Sequence, residues 1–231
     1  MLFISLNNIS CGINTKTIEM SAKPTCLIVA SASPQGVSAA SFHQSFSLCS
    51  SVFNLQTATP GGKPIDFVGV DESTARWVQD FNVKPYATPA KLESIDGARY
   101  QALLLPDCPG ALNDLAHRLS APHPHTLHLP TKTCLCSGTR SVRAVLCHRG
   151  PEVDFSGYSL TGPSVFELVR RPDFANLPLV VEDFVKDSGG SYTASQEDAV
   201  HVVIDRHLIT GQNMQSTSLA VNNLILLSNA K

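Results

Sequence analysis

The stretch ALLLPDCPGALNDL, Ala102–Leu115, decides how the chain is read. Four apolar residues in a row, with no alternation, are what a strand buried on both faces requires. Pro106 cannot donate to a ladder, so the strand stops there. Asp107–Gly110 supply turn residues, and Ala111–Leu115 read as the start of a helix. Strand, turn and helix start form the repeating unit of an α/β sheet. Working outward, Cys26–Ala30 (CLIVA) is a second buried strand, followed by a turn at Ser31–Gly36 and a helix over Val37–Val52. Asn54–Thr59 reads as a strand stopped by Pro60-Gly61-Gly62, and Ser73–Phe81 as a short helix. Towards the C-terminus, Pro163–Val169 is a helix with proline at its start, where the missing N–H is harmless. Leu179–Lys186 is a short strand or helix, and Tyr192–Ala194 and Ala199–Ile204 alternate like paired strands. Asp205-Arg206-His207 turns into Leu208–Thr210, and Ser216–Leu227 is the last helix. The expected fold class is α/β, a doubly wound, largely parallel sheet between helices.

A chain of 231 residues with 43% apolar and 16% charged residues is long enough for a full core and reads as one domain. A net charge of -2 gives no electrostatic reason for direct nucleic-acid or anionic-membrane binding. The seven cysteines are odd in number and scattered, which fits a reducing compartment. No apolar run reaches the roughly 20 residues of a membrane span. Met1–Glu19 has an apolar start, no basic segment, and Asn7 and Asn8 interrupting it. It is a poor signal peptide. It reads as a disordered extension (residues 1–19), with Met20 an alternative start and residues 20–231 the domain.

TATPGGKPIDF (Thr57–Phe67), ALLLPDCPGALNDL and LITGQNMQST (Leu208–Thr217) resemble blocks of the ThiJ/PfpI family in order and spacing. The likeness runs from Pro24 to Leu227 apart from one segment. It implies a flavodoxin-like, class I glutamine-amidotransferase-like sandwich. ESTARWVQDF, AKLESIDGARY, the SLTGPSV segment and LPLVVEDFVKDSG are similar to one eukaryotic branch of that family. Resemblance to that branch implies a homo-oligomer, a tetramer, that joins the FERRY complex. That complex is an endosomal Rab-GTPase effector which carries mRNA on early endosomes. The implied location is cytoplasmic, on early endosomes without membrane insertion, with links to the Rab GTPase and to mRNA that are indirect.

ThiJ/PfpI enzymes place a cysteine on a sharp strand-to-helix elbow, a carboxylate shortly after the first strand, and oxyanion-binding amides after the third. In this chain the carboxylate position falls near Ser38, which cannot tune a thiol as a carboxylate does. The third-strand turn is Asp107-Cys108, where the family has a glycine pair, and loss of both glycines restricts a close backbone approach. Cys108 lies by a helix start, where a thiol is reactive, or is a small buried residue. The elbow falls around Cys134–Gly138, so Cys134 and Cys136 are the candidate thiols there.

That segment is anomalous. Arg118–Asp154 crowds His, Pro, Arg and Cys without periodicity, and no apolar strand precedes Cys134. Back-translated with allowed codons and read one base later, Thr133–Asp154 gives PVCAVGQGVSVLCCATEGRKW, a strand, a glycine-rich turn and an apolar helix. The reading that follows is an out-of-frame translation over residues 118–154, bounded by two compensating indels. The printed segment is then poorly structured and without the central strand and its following helix. In the shifted string the elbow holds glycine, so the nucleophile is missing in either frame. The expected catalytic set is therefore none, with Ser38, Asp107, Cys108, Cys134 and Cys136 as vestigial positions.

The remaining constellations read structurally. His117, His123, His125, His128, Cys134, Cys136, Cys147 and His148 match no zinc spacing, so neither metal nor cofactor is expected. Gly61-Gly62-Lys63 lacks the pattern of a phosphate-binding loop. Asp205 and His207 read as turn residues, and Glu182, Asp183 and Asp187 as a solvated helix face with Lys186. Two functions follow: a non-catalytic interaction subunit, or a cysteine-dependent enzyme of glyoxalase, deglycase or peptidase type.

Overall fold

The computed structural model describes residues 23–115, 133–137, 157–172, 174–177 and 179–229, with residues 133–137 defined by their backbone. The expected extension at residues 1–19 lies outside the described residues, as does most of 118–154. Seven strands form the main sheet: β1 (Thr25–Val29), β3 (Asn54–Thr59), β5 (Ala90–Lys91), β6 (Ala102–Leu105), β7 (Thr133–Ser137), β10 (Val202–Asp205) and β11 (Leu208–Gly211). Their order is β10-β11-β7-β6-β1-β3-β5. All neighbours are parallel except β10 and β11, which form a hairpin. Two short parallel pairs lie outside it: β2 (Val37–Ser38) with β4 (Phe67–Val68), and β8 (Ser159–Leu160) with β9 (Ser191–Tyr192). The helices are α1 (Ala39–Ser50), α2 (Glu72–Asn82), α3 (Val165–Val169), α4 (Val181–Asp187) and α5 (Thr217–Asn229).

The two central strands behave as their sequences demand. Cys26, Leu27, Ile28 and Val29 of β1 and all four residues of β6 are buried, so neither strand needs a polar face. α1 begins two residues later than the apolar spacing suggests. Val37 and Ser38 pair with Phe67 and Val68, and the Ser38 hydroxyl accepts from the Ser41 amide at 3.5 Å, capping the helix. α1 packs against both α5 and α2. Between α1 and α2, Phe42, Phe46, Phe67, Trp77 and Phe81 form an aromatic cluster, with Phe42 edge-on to Phe67 and Phe81 at 5.3 Å. α2 is held at its start by a capping box in which the Asp71 carboxylate accepts from the Thr74 amide at 2.8 Å.

Two expectations are corrected. Tyr192 and Val202 do not belong to one strand pair: Tyr192 pairs with Leu160, and Val202 with Gly211. More importantly, the central strand is not lost. Thr133–Ser137 lies between β6 and β11, with Leu103 opposite Cys134 and Thr210 opposite Cys136. The physical reason is that β6 and β11 would otherwise each leave a row of backbone groups unpaired, and a strand of any compatible composition satisfies both rows at once.

Candidate functional site

In parallel α/β sheets ligands bind beyond the carboxyl ends of the strands. Here β1, β6, β7 and β11 deliver to that edge the loop Ser31–Gly36, the turn Asp107–Gly110, the end of β7 at Ser137 and the segment Gln212–Ser216. Ser38 and Asp107 meet there through their main chains: the Ser38 N–H donates to the Asp107 carbonyl at 2.8 Å. The Asp107 N–H donates to the Ser41 hydroxyl at 3.1 Å. The Ser38 hydroxyl lies 4.0 Å from the Met214 sulfur.

In the turn after β6 the N–H groups flanking Cys108 are engaged or absent. Pro109 has no N–H, the Gly110 N–H donates to the Gly36 carbonyl at 3.0 Å, and the Ala111 N–H donates to the Cys108 carbonyl at 3.0 Å. Cys108 is fully buried. A close backbone approach is made further along the turn, at Gly110. A Cβ built at Gly110 would lie 2.4 Å from the Ser31 hydroxyl and 3.1 Å from the Gly36 nitrogen. Cys134 and Cys136 sit within β7, paired with Leu103 and Leu105, so neither occupies the turn beyond the strand where an elbow nucleophile belongs.

A carboxylate does reach the loop after β1, from a residue the sequence reading passed over. Asp114 accepts from the Ser31 hydroxyl at 3.0 Å and from the Ala32 N–H at 2.7 Å. Beside it the Asn113 amide donates to Gln35 at 2.6 Å. The pair clips the β6 turn to the β1 loop. Its signal was an Asn-Asp pair directly after an apolar helix start, a place where such side chains bond to backbone.

A second polar hub lies after β11. Gln212 is fully buried. Its carbonyl accepts from the Ser195 N–H at 2.8 Å, and its amide donates to the Ser195 and Gln196 carbonyls at 3.4 Å. Asn213 donates to Glu167 at 2.9 Å and to the Ala199 carbonyl at 2.8 Å, and accepts from the Ser216 N–H at 3.1 Å. Glu167 in turn completes a capping box with Ser164 at the start of α3. This explains physically why the block LITGQNMQST stands out in the sequence. Nearby, Tyr192 donates to the Gly162 carbonyl at 2.7 Å, and burial pushes its phenol well above the usual tyrosine range.

Of the other residues, His207 lies in a turn as expected, whereas Asp205 is the last residue of β10 and pairs with Leu208. Asp205 accepts from the Ser159 N–H at 2.7 Å, Arg206 lies 4.0 Å over the Tyr158 ring, and His207 meets the edge of that ring. Lys186 pairs with Glu182 at 2.7 Å. Among the described residues no group of three His, Cys, Asp or Glu side chains is placed to hold a metal ion. The histidines and cysteines considered for zinc lie outside the described residues, save Cys134 and Cys136, which are defined by backbone. An open groove of about 590 Å³ runs between α1 and the start of α5, lined by His43, Leu48, Met214 and Ser218 among others. His43 stacks on Trp77 at 4.6 Å. No helix among the described residues is long and apolar enough to cross a membrane.

No family model matches the chain. Individual proteins do. It is 68% identical over 211 residues to glutamine amidotransferase-like class 1 domain-containing protein 1 of Danio rerio, covering 91% of this chain and 99% of that protein. The protein of the same name from Homo sapiens is 57% identical over 215 residues, covering 90% and 96%. The chain belongs to this family. Solved structures that share the fold are ThiJ/PfpI and DJ-1 proteins and their kin. Rapid Encystment Protein 24 kDa of Francisella tularensis superposes with a TM-score of 0.70 at 16% identity, covering 89% of this chain and 99% of that one. Glyoxalase III of Candida albicans gives 0.68 at 15%, covering 88% and 97%, and DJ-1 of Schizosaccharomyces pombe gives 0.53 at 15%, covering 90% and 93%. At such identities the likeness speaks for the fold. This glutamine amidotransferase-like chain therefore has the architecture of a family that includes enzymes.

Proposed function

We propose that the chain is a non-catalytic interaction subunit, and that its setting is the FERRY complex, the early-endosomal Rab-GTPase effector involved in mRNA transport. The observation that carries the first half is the turn after β6. Oxyanion stabilisation needs backbone N–H groups aimed at an open position. In this turn Asp107, Gly110 and Ala111 donate to partners within the protein, and Pro109 has no N–H. The vestigial positions support the same reading: Ser38 caps a helix, Cys108 is buried, and Cys134 and Cys136 lie inside a strand.

Self-association has its own support. α5 exposes Leu219 and Leu226, 46% and 66% accessible and two helical turns apart, while burying Ala220, Val221 and Leu224 on its inner side. A helix apolar on both sides is one that expects a cover. A second copy of the chain, assembled towards a tetramer, is the proposed cover. Sedimentation of the chain is expected to show an oligomer, and the double variant L219K/L226K a monomer with unchanged circular dichroism.

The decisive experiment pairs reconstitution with a turnover assay. The purified chain is expected to co-elute with the other FERRY subunits, to leave dicarbonyl and amide substrates untouched, and to show uniformly slow thiol alkylation. One fast-reacting cysteine whose alkylation stops measurable turnover would establish the enzyme reading instead.

A further inference from the structure

The segment Thr193–Asp198 is six consecutive exposed residues, TASQED, stretched between β9 and β10. Its side chains are not arranged at random. The Ser195 hydroxyl lies 3.1 Å from Nδ1 of His201, and the Thr193 hydroxyl 3.2 Å from Nε2 of the same ring. Glu197 and Asp198 follow Ser195 at the second and third positions, and both carboxylates face solvent, where Arg170 reaches them at 3.2 Å and 2.8 Å. The backbone of Ser195 is tied to one buried side chain, Gln212. A serine and histidine in contact suggest hydrolysis first, but the Ser195 N–H is spent on Gln212 and the pair stands on an exposed loop. What the segment does present is an accessible hydroxyl, acidic residues on its C-terminal side, and a titratable nitrogen against the oxygen.

We propose that Ser195 is a phosphorylation site for an acidophilic serine/threonine kinase, and that His201 holds the phosphate once it is formed. Kinases of that class select substrates by charge pattern, and carboxylates two and three residues after the serine are the pattern. Ser164 also has a carboxylate three residues on, at Glu167, but its hydroxyl is buried and caps α3. In the transfer, the bond between the β- and γ-phosphates of a nucleoside triphosphate breaks and the γ-phosphoryl group joins Ser195 Oγ. The hydroxyl proton goes to the kinase's base, and the nucleoside diphosphate leaves. The product carries nearly two negative charges and three strong acceptors. His201 Nδ1 then donates to it in a charge-assisted bond, and the Arg170 guanidinium already stands on the acidic side of the same loop, bridged to Glu197 and Asp198. The loop gains a fixed anion beside the Gln212–Asn213 hub.

The test uses the full chain, a casein-kinase-2-type kinase and magnesium ATP, with phosphopeptide mapping. The main phosphate is expected on Ser195, with S195A lowering incorporation by about tenfold, and the double variant E197Q/D198N, which keeps the serine, lowering it by about fivefold. Asp198 has φ +59°, which asparagine adopts readily, so that double variant keeps the loop's shape. Phosphate on another residue, no incorporation, or S195A labelled as strongly as the parent would each overturn the site. The His201 ring resonances are expected to move on phosphorylation, and unmoved resonances with Ser195 fully modified would overturn the clamp.

Discussion

Two places at the carboxyl edge of the sheet are filled with the protein's own polar groups, and they are filled differently. In the turn after β6 the backbone does the work: amides of Asp107, Gly110 and Ala111 donate to neighbouring oxygens, and space is so short that position 110 admits only hydrogen where a Cβ would sit. After β11 two side-chain amides do it, Gln212 and Asn213 reaching outward to tie down residues 195–201 and the start of α3. The first arrangement is closed by geometry, the second by chemistry. A closed backbone turn resists any substitution that adds volume. A side-chain hub gives way one bond at a time, because the loop it holds is exposed and water can replace it.

That contrast can be broken by measurement. The largest effect is expected at Gly110. G110A forces Ser31 or Ser33 to move and is expected to cost about 3 kcal/mol by urea denaturation, the upper end for overpacking a tight site. A neutral result would mean that the two loops are not locked together. Q212L comes next. It removes three hydrogen bonds from a buried side chain but frees backbone that water can reach, so about 2 kcal/mol is expected, together with faster amide exchange confined to residues 195–201. Exchange that rises equally near Gly110 would show that the two places act as one.

The smallest effect lies away from both, at the start of α2, and sharpens the comparison as a control. Hydrogen bonds from Thr74 and Ser73 hold the Asp71 carboxyl at about 2, below the ordinary 3.8. The folded value is the lower one, so its contribution is fully present above the unfolded value and disappears as pH falls from about 4 through about 2. Trp77, the single tryptophan of the chain, sits on α2 and reports the loss by fluorescence. D71N is expected to flatten that acid transition, and a transition unchanged in D71N would assign it to other carboxylates.

The parts of the molecule legible in the sequence were those where one force dominates. CLIVA and ALLL are strands because burial on two faces leaves no choice, and the aromatic residues of α1 and α2 mark a core. β7 was not legible. TCLCS carries no strand pattern of its own, and what makes it a strand is the pair of open ladders on either side, a requirement invisible until β6 and β11 are in place. The candidate site was half legible. Ser38, Asp107 and Cys108 could be located from the family's motif order, whereas Asp114, Gln212 and His201 act across long sequence separations that local spacing does not encode. The reading of residues 118–154 as out of frame between two compensating indels is checked by sequencing the transcript. It predicts that the strand between β6 and β11 keeps its place while its letters change.

The position of β7 has a consequence for how the molecule is made. It is the single seam between a block of four strands, β6-β1-β3-β5, and the hairpin that completes the sheet. Pairing across large sequence gaps is slow to form. On a ribosome the first block can assemble early, yet its open side stays available to any other extended peptide until residues 133–137 arrive. The hairpin must then wait for that same segment, with α5 against α1 as a further link drawing the halves together.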